Sequence, residues 1–281
     1  MILFPTDFSV QSSKTFGFAL AMAKKLNQQI TLLHVYHIPV MNPATIELGT
    51  NLISDEMMQL TENTAEDRLK QFKEELKSTY SDSNEEFVRV LGMVRMGLVA
   101  DEIVRSAEEI QADFIVLGIK HSSGLSRALF GSSVMQVIKR SKTGVITVPE
   151  KYKHADVHHI AYATDLTFSD NEIINRLLAL AKNFSATVKC FHVHDSKLDT
   201  ENLIIKEFIE QYKTEANAGL IYFQLIDNLN VVDGIDYFVK EHKIDLLCVM
   251  KQKHYWIDIF DKQITKHLVF HEDVPMLIYH E

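Results

Sequence analysis

Ile2-Leu-Phe-Pro-Thr-Asp7-Phe-Ser near the start of the chain returns as Ile160-Ala-Tyr-Ala-Thr-Asp165-Leu-Thr, an offset of 158 residues. The offset persists outward from that stretch. Leu20-Ala-Met-Ala-Lys24 lies over Leu178-Ala-Leu-Ala-Lys182, and Leu32-Leu-His34-Val35 lies over Cys190-Phe-His192-Val193. Further on, Ala112-Asp113-Phe-Ile-Val-Leu returns as Ile244-Asp245-Leu-Leu-Cys-Val at an offset of 132, because the second copy has lost residues in between. A self-similarity this long means one structural unit used twice. The seam falls in the short polar stretch Glu150-Lys-Tyr-Lys-His-Ala-Asp-Val157, so domains of 1–150 and 151–281 are expected. A chain of 281 residues is long enough for two such cores.

Within the first copy the periodicity alternates between strand and helix. Apolar or β-branched runs at 1–6, 30–35, 87–91, 114–117 and 145–148 read as strands. Between them, Ser9 is a plausible N-cap for a helix through Phe16, Leu20, Ala23 and Leu26. Helices also read over 54–77, 99–110 and 132–140. Short, all-apolar strands joined by helices imply a parallel sheet covered on both faces. The fold class expected is therefore α/β, with two tandem doubly wound domains.

Composition narrows the function. Apolar residues make up 46% and charged residues 24%, which suits a folded globular protein and excludes a disordered or fibrous chain. The net charge is −9, with 15 Lys and Arg against 18 Asp and Glu in residues 1–150 and 14 against 20 in the rest, so neither half offers nucleic acid a basic surface. No apolar run is long enough to cross a bilayer, and no cationic leader precedes the apolar start. Two cysteines, Cys190 and Cys248, sit singly in apolar runs, consistent with core packing in a reduced, cytoplasmic setting.

In open α/β sheets, ligands bind beyond the carboxyl ends of the strands. Asp7 follows the first strand there. After the fourth come Gly118-Ile-Lys-His121-Ser-Ser-Gly124-Leu-Ser-Arg127-Ala-Leu-Phe-Gly131-Ser132-Ser133. Glycines admit an anion close to the backbone, Ser132 and Ser133 supply hydroxyls, and the helix opening there presents free N–H groups. Lys120 and Arg127 can answer phosphate charge. The bland reading is that strand-to-helix loops need glycine for steep turns in any case.

These residues, with the repeat, resemble the universal stress protein family, whose nucleotide-binding members carry Gly-x2-Gly-x9-Gly-Ser/Thr after the fourth strand. Here Gly118, Gly131 and Ser132 match and His121 replaces the middle glycine. Phe-Pro-Thr-Asp7-Phe-Ser and Met96-Gly97, followed by Ile103 and Ala107, also look like the family. The resemblance implies a five-stranded sheet of order 3-2-1-4-5 in each domain, Asp7 near adenine and ribose, and the backbone of Val35 near the base. It implies ATP or AMP as ligand, with Mg²⁺ an accompanying ion that Asp7 can hold. It further suggests that strands 145–148 and 276–279 pair, joining the two domains within the molecule, and homodimerisation is left open.

The second copy keeps Asp165 and Val193, but its fourth strand runs into Met250-Lys-Gln-Lys-His-Tyr-Trp256-Ile-Asp-Ile-Phe-Asp261-Lys-Gln263 without a glycine. Asp261, near the place of Gly131, would repel an anion, so this copy is expected not to hold ATP and to be structural or regulatory. Tyr255 and Trp256 either fill the vacant site or line a pocket for another small molecule. His192, His194 and Asp195 have the spacing of a partial metal site, but most of its ligands are missing, which favours structural histidines. No P-loop, nucleophile elbow, His-Glu-x2-His or dinucleotide fingerprint occurs, so dedicated catalysis is not expected. The reading reached is a nucleotide-binding stress-response protein. A nucleotide-independent scaffold acting through protein contacts, and a slow ATP hydrolase, stand as the alternatives.

Overall fold

The computed structural model describes residues 1–37, 55–81, 87–119, 132–152, 156–167, 170–194, 200–228, 230–251 and 274–280. They divide into two compact units, one of residues 1–117 with 131–140 and the other of 118–130 with 141–281. Ten strands form an α/β architecture in which the pairings are parallel, save one at an edge of the second unit.

In the first unit, β1 (Ile2–Pro5), β2 (Ile30–Tyr36), β3 (Val90–Met96) and β4 (Phe114–Ile119) are ordered β3-β2-β1-β4. The apolar runs explain the centre. Ile2 and Leu3 of β1, Leu32 and Leu33 of β2, and Ile115 and Val116 of β4 are buried, as strands covered on both faces must be. Helix α1 (Val10–Leu26) packs on α2 (Asp55–Tyr80), and α3 (Val99–Glu109) on α4 (Ser132–Arg140). Ser9 caps α1 as expected, its side chain accepting from the Ser12 amide at 3.1 Å. The expected third strand at 87–91 is displaced: β3 begins at Val90 and runs to Met96. It is an edge strand with a half-buried pattern, which the more apolar look of Phe87-Val-Arg-Val-Leu obscures.

The second unit has β5 (Gly144–Pro149), β6 (His159–Ala163), β7 (Thr187–His194), β8 (Ile221–Asp227), β9 (Leu246–Lys251) and β10 (Met276–His280), ordered β5-β10-β9-β6-β7-β8. Its helices are α5 (Asp170–Phe184), α6 (Thr200–Gln211), α7 (Lys213–Asn217) and α8 (Val231–Glu241). From β10 to β8 the order is the expected 5-4-1-2-3 seen from the other edge. The expected partnership of 145–148 with 276–279 is present, antiparallel, with Met276 opposite Thr147 and Ile278 opposite Val145.

The repeat extends to backbone conformation. Among the described residues, six non-glycine residues have left-handed backbone, and they form three pairs at the sequence offsets: Phe8 and Leu166 (φ 62° and 60°), Asn27 and Ser185 (51° and 53°), Gln111 and Lys243 (51° and 49°). Non-glycine residues pay a steric penalty in this region, so its recurrence marks turns that the fold imposes.

Helix α8 lies unusually close to the sheet because position 234 has no side chain. A Cβ there would come within 2.6 Å of Val193 Cγ1. Val193 is β-branched and half-buried, so its rotamer freedom to move aside is small. Gly234→Ala is expected to destabilise the protein by about 1–2 kcal/mol, overpacking outweighing the roughly 1 kcal/mol of helix propensity that alanine brings. Urea unfolding of the variant checks this, and a gain in midpoint would contradict it.

Candidate functional site

Thr6, directly after β1, organises the carboxyl end of the first unit's sheet. Its carbonyl accepts from His34 Nδ1 at 2.9 Å, its Oγ1 accepts from the Phe8 amide at 3.0 Å, and Ser12 Oγ donates to the same Oγ1 at 2.8 Å. These bonds hold the left-handed turn at Phe8, and Asp7 is thereby carried out of the sheet into solvent. Asp7 Oδ1 accepts from the Ser9 amide at 3.0 Å, at the mouth of α1. β1 pairs in parallel with β2 on one side and β4 on the other, so the ends of all three strands open on the same side.

Val35 is half-buried on β2, next to Tyr36 at the strand's end, and Gly118 is the penultimate residue of β4. Ser132 opens α4, and Ser133, its second residue, is half-buried. His121, Gly124, Arg127 and Gly131, together with Lys120, lie outside the described residues, as do Tyr255, Trp256 and Asp261 of the second copy.

Beside Asp7 the structure adds a cavity of about 280 Å³ lined by His34, Tyr36, Thr61, Thr64 and Arg68. His34 and Tyr36 are two apart on β2 and share the face opposite Val35. The Phe8 ring lies 4.2 Å from that of His34, and the Arg68 guanidinium stands 5.1 Å over Phe8. Burial, then the carboxylates of Glu62 and Glu66, push the Tyr36 phenol up. None of Phe8, Tyr36 or Arg68 stood out in the sequence. The signal available was the pairing of Phe8 with a left-handed turn, which only the repeat with Leu166 makes visible.

Gly97 was part of the family pattern, and its need is steric. Its φ is +152°, and a Cβ there would meet Glu102 Oε1 at 2.9 Å. Glu102 is itself buried on α3 and paired with Arg105 at 3.2 Å.

The second unit repeats the frame. Thr164 accepts from His192 Nδ1 through its carbonyl at 2.7 Å and from the Leu166 amide through Oγ1 at 2.9 Å. His192 thus serves a structural bond in the same place as His34, while the side chain of His194 and Asp195 lie outside the described residues. The chemistry around the frame is different. Ser12 is replaced by Asp170 and Phe4 by Tyr162, both completely buried. Asp170 accepts from the Tyr162 hydroxyl, from Thr164 Oγ1 at 2.6 Å and from the Thr167 amide at 2.7 Å. Asp165, the counterpart of Asp7, has its carboxyl pushed up to about 7, first by burial and then by the charge of Asp170.

A scan against family models matches the Universal stress protein family over residues 1–149, and the chain belongs to that family. Among curated relatives it is 29% identical over 152 residues to Universal stress protein MJ0531 of Methanocaldococcus jannaschii, covering 54% of this chain and 83% of the relative. It is 27% identical over 156 residues to Universal stress protein MJ0577 of the same organism, covering 53% and 94%. Among solved structures, a universal stress protein from Archaeoglobus fulgidus superposes with a TM-score of 0.73 at 17% identity, covering 100% of this chain and 96% of that one, a likeness of fold.

The raised Asp165 carboxyl has a consequence for stability. In the folded protein it keeps its proton through a range in which the unfolded chain has lost it. Stability therefore falls as pH rises from about 4 to about 7 and is level above. Asp165→Asn removes that cost. The variant should match wild type near pH 4 and exceed it above pH 7 by on the order of 2 kcal/mol, allowing for partial solvent access. Denaturant unfolding at the two pH values reads this directly, and parallel pH profiles would contradict it.

Proposed function

We propose that this universal stress protein binds one adenine nucleotide, ATP or AMP, per chain, in a first domain of residues 1–150. Residues 151–281 form a degenerate copy with a structural or regulatory role. The observation that supports this most is the placing of Asp7. It emerges beyond β1, where β1 lies between β2 and β4 and the strand order turns, the position at which open α/β sheets receive ligands. Helix α4 starts at Ser132, directly after Gly131, and a helix start offers free N–H groups and a positive dipole end to phosphate. Gly118, His121, Gly124, Arg127, Gly131, Ser132 and Ser133 form the phosphate side of this reading, and Asp7 with the Val35 backbone the nucleoside side. The exposed Asp7 carboxylate, which holds the Ser9 amide at the mouth of α1, is of the type that suits a ribose hydroxyl or an accompanying Mg²⁺ that keeps most of its waters. A cytoplasmic stress-response protein of this kind uses the bound nucleotide as a signal.

His121 in place of the family's middle glycine favours the other reading, a scaffold acting through protein contacts in which residues 118–133 are only a turn. Calorimetric titration of the intact protein with ATP and AMP separates the two, since the first requires one site per chain and the second none. Acid denaturation of freshly purified protein should also release material absorbing near 260 nm.

Gly131→Glu should weaken nucleotide binding by about a hundredfold or more, roughly 3 kcal/mol, because a side chain would stand where the phosphate meets the helix start and add repulsion there. Circular dichroism should show the variant folded. Unchanged affinity in a folded variant would overturn the phosphate assignment.

A further inference from the structure

The second unit carries a cavity of about 400 Å³ against the amino-terminal halves of β6 and β7, with β8 along its rim and α8 as its wall. That volume falls in the range of small-molecule sites. Three basic side chains converge on it: His159 from β6, Lys189 from β7 and His242 from the end of α8. No carboxylate lines it among the described residues. Lys189 Nζ donates only to the His242 carbonyl, at 3.5 Å, the weak limit for such a bond, and makes no other hydrogen bond or ion pair among the described residues. His159 Nδ1 lies 3.0 Å from Thr187 Oγ1, and the tautomer in which threonine donates leaves the ring proton on Nε2, which has no partner among the described residues. Burial and the neighbouring Lys189 charge hold the His159 ring below the usual histidine range. Asp245, whose charge partly opposes that lowering of His159, has its Oδ2 accepting from the His158 and His159 amides at 2.8 and 2.9 Å.

The opposite wall is flat and apolar. The half-buried His242 ring stacks on Phe238 at 4.0 Å and 17°; Phe238 is itself buried, stacked on its other face against Phe191 at 3.9 Å, so His242 is the ring that remains accessible, and the partly exposed Tyr222 of β8 stands on the rim. This lining is peculiar to the second copy. At the repeat offsets and strand registers, His159, Lys189, Tyr222, Phe238 and His242 correspond to Met1, Thr31, Leu91, Ser106 and Ile110, a set with neither side-chain cation nor aromatic ring. A lysine ammonium with one long hydrogen bond and an imidazole N–H without a partner among the described residues, beside the His242 ring, match a ligand that is anionic at one edge and flat and apolar over the rest.

We propose that the second unit binds a small planar carboxylate in this cavity, its carboxylate on Lys189 and His159 and its ring against that of His242. The site is separate from the nucleotide reading of the first copy and stands whether or not that reading holds. It gives the second copy a ligand of its own.

The test uses the full chain, with benzoate as probe. Histidine-ring correlation spectra and saturation-transfer difference should show benzoate perturbing His159 and His242. The variant Lys189→Thr, which installs the residue of the first copy, should weaken binding at least tenfold with an unchanged melting temperature. Inorganic phosphate, an anion without a flat apolar part, should compete poorly. The proposal is overturned if benzoate up to about 10 mM, the range of weak fragment affinities, leaves both rings unperturbed. It is equally overturned if folded Lys189→Thr binds as wild type does, or if phosphate perturbs the rings while benzoate does not.

Discussion

The carboxyl end of each sheet depends on one threonine. Thr6 and Thr164 each end the first strand of their copy, give a carbonyl to a histidine on the next strand and a hydroxyl to the amide two residues on. These bonds satisfy backbone groups that leave the ladder as the chain turns, and they hold Phe8 and Leu166 in left-handed backbone that neither side chain favours. The turn, in turn, sets where the following aspartate's neighbours stand and where the next helix begins. Changing the threonine would release both hydroxyl bonds of its copy, whereas the bond to the histidine is made by the main-chain carbonyl; that bond to the turn is why the histidines at 34 and 192 read better as struts than as metal ligands.

On that shared frame the two copies have diverged in what they bury. The first places Phe4 against Phe16 edge-on at 5.6 Å and fills the space near Thr6 with the small hydroxyl of Ser12. The second buries a carboxylate there. An unpaired charge at Asp170 would be ruinous, but three donors surround it, and charge-assisted bonds of this kind offset desolvation only when the acceptor is fully satisfied. Tyr162 and Asp170 are therefore one change rather than two: the phenol has a use because the carboxylate is there, and the carboxylate is tolerable because the phenol is. Burial and Asp170 also push up the Cys190 and Cys248 thiols, which keeps both cysteines as inert packing.

Strands and helices were legible in the sequence wherever burial on both faces produced an unbroken apolar run, as in Ile30-Thr-Leu-Leu or Phe114-Ile-Val-Leu. β3 was misplaced because an edge strand is only half-buried and its pattern is weak. Asp7 and the start of α4 were legible because strand ends and helix starts are where the fold frees polar groups. The cavity between β2 and α2 was not, since it joins His34 and Tyr36 to Arg68 across more than thirty residues, and the charge-rich helix reads as a solvated face. The basic cavity of the second copy was hidden in the same way: Lys189 and His242 come from different elements and become significant only once Lys189 is found without an acid beside it.

Retention of Asp165 is weaker support for a ligand in the second copy than the repeat alone suggests. In the first copy Asp7 has a local task, holding the Ser9 amide at the helix mouth. In the second the matching amide, that of Thr167, is held by Asp170 instead. The turn has changed hands, and Asp165 is left half-buried with a neighbouring negative charge and a carboxyl that takes up a proton near neutrality. A carboxylate kept for Mg²⁺ or for ribose needs the opposite environment, one that favours its charged form. The frame around Thr164 persists because the fold requires it, whereas Asp165 on it sits where its charged form is disfavoured, and a role for the second copy is better sought in what it has gained than in what it has kept.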